Sequence, residues 1–141
     1  MTLKTFVAIS VAALLMAWYW SSTKAEREFI FNVQLEIERG ANELDLPKLM
    51  KGNWETVCSI HGYDGPTYIK KYDRTYSPAG AAQDGVWGLT FISQDGSYES
   101  AAGSRKNGFN FDFGCLDRDD AKLVRKTENE VMWVPHIGKG S

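Results

Sequence analysis

The residue types most able to do chemistry gather between His61 and Tyr76. His61 and Asp64 stand three positions apart around the turn-forming stretch Gly62-Tyr-Asp-Gly-Pro66, an imidazole and a carboxylate at a spacing that suits an oriented general base. A hydrolase built on them lacks its nucleophile: no serine sits in a nucleophile-elbow context, and both cysteines have a better assignment. A small hydrolase using His61 and Asp64 therefore ranks third among the functional readings, and the plain reading of the pair is a polar loop. The same stretch carries Tyr63, Tyr68, Tyr72 and Tyr76, with Lys70, Lys71 and Arg74 between them. Tyrosines supply rigid amphipathic area at low entropic cost, and the cations add affinity for an acidic partner or a lipid headgroup. These seven residues form the candidate binding surface, with ordinary solvated surface as the alternative.

Metal chemistry finds less support. Asp117, Asp119 and Asp120 are closely spaced acids, but the EF-hand spacing, its central glycine and its closing glutamate are missing, so a capped or solvated turn is the better reading. His61 and His136 would need partner carboxylates that the sequence does not supply. No metal and no cofactor is expected. Cys58 and Cys115 show no C-x-x-C or zinc spacing. An even pair in an exported domain reads as a disulfide, with two buried free thiols as the alternative.

Several elements must position these groups. Trp54 to His61 and Gly85 to Ser93 read as strands, and the second is followed by Asp95-Gly96, a hairpin turn that returns through Ser97 to Ala102. Phe109 to Cys115 reads as one strand with Phe109, Phe111 and Phe113 on one face, and Val131 to Val134 as another. Tyr68 to Asp73 and Ala121 to Lys126 each fit a strand or a short helical turn. Trp54, Trp87 and Trp133 belong to strand interiors. Residues 25–44 fit both periods: Ile30, Val33, Ile37, Ala41 and Leu44 form a helical stripe, and Phe29, Phe31, Val33, Leu35 and Ile37 alternate as in a strand. Continuity with the preceding segment favours helix, ended by Gly40.

That preceding segment decides the compartment. Phe6 to Trp20 holds no charge and a single serine. As a helix it is roughly 22 Å long, short of the ~30 Å hydrocarbon core until Thr5 and Ser21 to Thr23 are added. Trp18, Tyr19 and Trp20 together suit the headgroup region. The reading is an anchor, with a signal peptide cleaved after Ala25 as the alternative.

The whole chain has 141 residues, 13 % of them aromatic, and a net charge of −2. That is one domain's worth, without the basic footprint that nucleic acid requires, so nucleic acid is not an expected partner. The expected fold is α+β: a transmembrane or signal helix over 1–23, a helical stalk or linker over 24–45, and a small, mainly antiparallel β domain with one disulfide over 46–141.

The strings Gly52-Asn-Trp-Glu-Thr-Val-Cys58, Gly62-Tyr63, Trp87-Gly-Leu-Thr-Phe-Ile92 and Asn107-Gly-Phe-Asn-Phe-Asp112 to Cys115 span roughly residues 46–126. In them the chain resembles a loosely defined group of small exported or lipid-anchored bacterial proteins with no established activity. The resemblance implies an envelope compartment and a compact domain, and nothing catalytic. Lipid attachment is ruled out by the lack of an acceptor cysteine after the apolar segment. The expectation is a non-enzymatic, single-pass domain outside the bacterial inner membrane. It touches the membrane through residues 5–23 and acts on another envelope protein. A secreted periplasmic inhibitor or immunity-type protein is the second reading.

Overall fold

The double periodicity of residues 25–44 resolves as helix. In the computed structural model, which describes residues 3–60, 65–77, 85–105, 109–111, 113–127 and 131–136, one helix, α1, runs Leu3–Glu38. Phe29 and Val33, one turn apart, are fully buried, whereas Phe31 between them is 64 % exposed. Burial thus follows the i, i+4 spacing of a helix face and ignores the strand-like alternation. Ala25, Ile30 and Ile37 flank the buried pair, so the segment expected as a stalk contributes to the core. Gly40, at φ 77°, ends the helix, and its N–H and that of Ala41 turn back to the carbonyls of Ile37 and Glu36.

In the other half of α1, none of the described side chains up to Lys24 is buried. Val7, Ile9, Val11, Leu14 and Met16 are 49–70 % exposed. Among the described residues no helix is long and apolar enough to cross a membrane; the side chains of Trp18, Tyr19 and Trp20 lie outside those residues.

Beyond α1, two four-stranded sheets share one core. The first has the order β1-β9-β10-β7, with β1 at Glu43–Asp45, β9 at Lys122–Thr127, β10 at Val131–Pro135 and β7 at Phe109–Phe111. The second has the order β6-β5-β2-β8, with β6 at Tyr98–Ser104, β5 at Val86–Ser93, β2 at Trp54–Ser59 and β8 at Cys115–Asp117. A separate ribbon pairs β3, Thr67–Ile69, with β4, Arg74–Tyr76. A short helix, α2 at Leu46–Leu49, carries Pro47 in its first turn. Pairing is antiparallel throughout except between β10 and β7, which run parallel.

One expectation is corrected. Phe109 to Cys115 is not one strand: β7 and β8 belong to different sheets, because the chain crosses between them at Phe113 and Gly114. Phe111 and Phe113 still both reach the core. Of the two readings open for Ala121 to Lys126, the strand is the one formed: Arg118–Asp120 makes a 3-10 turn and β9 follows.

The main core lies among both sheets and α1, with Phe29, Trp54, Trp87, Phe91, Phe111 and Trp133 among its largest members. A smaller cluster of Cys58, Ile60, Tyr76 and Ile92 fills the opposite face of β2 and β5, with Ile69 and Tyr72 against it. The expected disulfide is present. Cys58 and Cys115 sit directly opposite one another on β2 and β8 and are bonded across 57 sequence positions, a loop worth roughly 4 kcal/mol in the chain-entropy account.

One close approach is set by a glycine. Trp87 on β5 faces Gly103 on β6, and a Cβ at Gly103 would stand 2.5 Å from the indole. Gly103→Ala should therefore cost about 1–3 kcal/mol of unfolding free energy, read as a lower urea midpoint. Gly114→Ala, where a Cβ meets nothing within 4 Å, should leave the midpoint nearly unchanged.

Candidate functional site

The candidate residues from Tyr68 to Tyr76 lie on the ribbon, and a defect in β2 determines how the ribbon is held. Trp54 pairs with Ser93 and Thr56 with Ile92, which leaves Glu55 as an extra residue on β2. In a regular strand Trp54 and Thr56 would share a face. The bulge separates them. Trp54 enters the main core edge-on to Phe91, with ring centroids 5.1 Å apart, while Thr56 meets the ribbon. Glu55 is turned to the ribbon too, so sequence neighbours act together.

A cyclic network results. The Lys71 ammonium donates to Thr56 Oγ1 at 3.2 Å, and the Tyr72 hydroxyl donates to Glu55 Oε1 at 2.8 Å. Thr56 and Tyr72 hydroxyls are 2.6 Å apart. Because the tyrosine proton is committed to Glu55, the threonine must donate to the tyrosine oxygen. Lys71 closes the ring 3.2 Å from Glu55 and also stands 3.6 Å from Asp117 on β8. The Tyr72 hydroxyl, followed by Lys71, holds the Glu55 carboxyl below its ordinary range, and Glu55 in turn holds the Lys71 ammonium above its own. Burial raises Tyr72.

The far end of the ribbon is clamped separately. Tyr76 is buried, and its hydroxyl donates to the Gly96 carbonyl at 3.0 Å. Arg74 donates to the same carbonyl at 2.8 Å and lies over the Tyr76 ring. Tyr72 and Tyr98 meet that ring edge-on, with centroids 6.3 and 5.3 Å away. Tyr68 donates to Asp73 at 2.6 Å, a bond that raises its pKa, and its ring remains 57 % exposed.

The expected binding residues thus divide. Tyr68, Lys70, Lys71 and Arg74 are exposed; Tyr72 is half-buried, and Tyr76 is a core residue that fastens the ribbon. Tyr63, with His61 and Asp64, lies outside the described residues. Among the described residues no three potential metal ligands converge. Glu55, Thr56, Asp73 and Asp117 belong to the site although their spacing gave no sign of it; the nearest signal was an acid beside Trp54 in a strand with no other charge. Comparison of the chain with protein-family models, curated proteins and solved structures finds no match.

What this arrangement can do is present a shaped surface. The polar groups facing β2 and the β5–β6 turn are spent on holding the ribbon, while Lys70 and the Tyr68 ring point away from that work.

A carboxyl held below its ordinary range contributes stability that is complete above its unfolded pKa and is lost as pH falls through the folded value. Glu55→Gln should accordingly flatten the acid limb of the stability curve between about pH 5 and pH 3, measured as urea midpoint against pH. An unchanged acid limb would mean that Glu55 does not couple the ribbon to β2.

Proposed function

We propose that this chain is a membrane-anchored, non-enzymatic interaction domain that works outside the cytoplasmic membrane of a bacterium and presents the β3–β4 ribbon to another envelope protein. The observation that carries the reading is the exposure of Val7, Ile9, Val11, Leu14 and Met16 on a helix that continues without a break into the core-forming Phe29 and Val33. Five large apolar side chains left at 49–70 % exposure on one helix half need a non-aqueous neighbour. No charged residue occurs from Thr5 to Thr23, and that stretch as a helix is about 28 Å long, close to the ~30 Å of a hydrocarbon core. The disulfide supports an oxidising compartment for the rest of the chain. On the ribbon, Tyr68 and Lys70 supply an exposed aromatic face and a cation suited to an acidic partner surface.

Full-length protein should float with phospholipid vesicles. A Val11→Lys, Leu14→Lys variant should lose flotation while keeping its disulfide, because each lysine costs about 2.5–3.5 kcal/mol at a helix centre in the bilayer. A mature chain beginning at Glu26 would overturn the anchored reading in favour of the secreted inhibitor. Tyr68→Ala with Lys70→Glu should weaken recovery of the partner by in-cell crosslinking and leave the urea midpoint unchanged; undiminished recovery would put the contact elsewhere.

A further inference from the structure

The end of the domain at which α1 enters carries an open groove of about 470 Å³. Met50, Trp54 and Phe91 line it together with Ala25 of α1, and Lys51, Asn53 and Tyr98 also border it. Met50, Trp54 and Phe91 are all at least 97 % buried, whereas Tyr98 is 48 % exposed and Lys51 and Asn53 are exposed. A second depression, beside Glu36, Glu43, Asp45 and Lys122, marks the opposite end of the domain. At ~1.5 Å per residue, Glu36 lies about 16 Å further along α1 than Ala25. The helix therefore gives the domain a near end and a far end relative to its exposed apolar half.

Resting on the anchored reading above, we propose that the domain stands on the headgroup layer of the bilayer through this near end, with the loop at Lys51–Asn53 and the entry into β6 from Ser97 to Glu99 seated among zwitterionic phospholipid headgroups. Three observations point there. Ala25, at the groove, follows within two residues of the uncharged stretch that ends at Thr23, so a helix leaving the bilayer brings the groove to its surface. Tyr98 is held edge-on by buried Tyr76, an exposed ring with a hydroxyl of the kind that favours the membrane interface. The groove's lining carries one cation and one anion, Lys51 and Glu99, among neutral Asn53, Ser93 and Ser97. That balance matches a headgroup holding both a phosphate and an ammonium and demands no net charge from the lipid. With the near end seated, the far end and its acids stand clear of the membrane.

The test uses full-length oxidised protein in phosphatidylcholine–phosphatidylethanolamine vesicles that contain a headgroup nitroxide lipid. A fluorophore is placed through Asn53→Cys or, separately, Lys122→Cys, both exposed positions, with the native disulfide left intact. The expected result is loss of emission at position 53 and none at 122. Equal quenching at both positions, or none at either, in protein that still floats would overturn the seated orientation and leave the anchor standing. Loss of flotation would overturn both. Tyr98→Ala should reduce quenching at 53 without abolishing flotation; an unchanged value would show that the ring takes no part in the seating.

Discussion

Everything in this domain depends on a strand that must be covered twice. From Trp87 to Ile92 every residue of β5 is buried. Trp87, Leu89 and Phe91 enter the main core, and Ile92 enters the smaller cluster on the other face. A strand buried on both faces needs a layer on each. One layer is the β1-β9-β10-β7 sheet with α1. The other is the ribbon, two strands of three residues that could not persist alone in water.

The ribbon's attachment explains the polar architecture around it. Its apolar contribution is small: Ile69, Tyr72 and the buried ring of Tyr76. The Glu55–Thr56–Tyr72–Lys71 ring at one end and the shared Gly96 carbonyl at the other add directional bonds where area is scarce. The disulfide reinforces the same face, since buried Cys58 belongs to that cluster and Cys115 ties β8, with Asp117, to β2. A cover held this way keeps its outer side free of internal duties.

Legibility in the sequence followed the range of the interactions. The β5–β6 hairpin was readable because Asp95-Gly96 is local turn chemistry. The disulfide followed from the even number of cysteines and from their lack of any metal-binding spacing. The helical state of residues 25–38 was favoured by continuity, but only the burial of Phe29 and Val33 against exposed Phe31 separates it from a strand. Sheet membership was not readable: nothing local says that Phe111 and Cys115, four residues apart, pair with β10 and β2 respectively. The site was half legible. The tyrosine and lysine cluster stood out by composition, yet the bulge at Glu55 is defined only by the partner strand, so Glu55 and Thr56 could not be assigned to it. Tyr76 looked like surface and is core, because its hydroxyl finds an acceptor in the carbonyl of a distant turn.

The parallel pair has a consequence for how the chain reaches this state. β10, the most C-terminal strand among the described residues, lies between β9 and β7 and carries Trp133 into the core. The first core residues, Phe29 and Val33, come from the opposite end of the chain. Until Val131–Pro135 arrives, β7 has no neighbour in its sheet and the core lacks one of its largest side chains. Folding therefore cannot advance stepwise behind the emerging chain; it waits for long-range closure. A polypeptide of this kind stays unclosed as it emerges, and it locks only when β10 is in place.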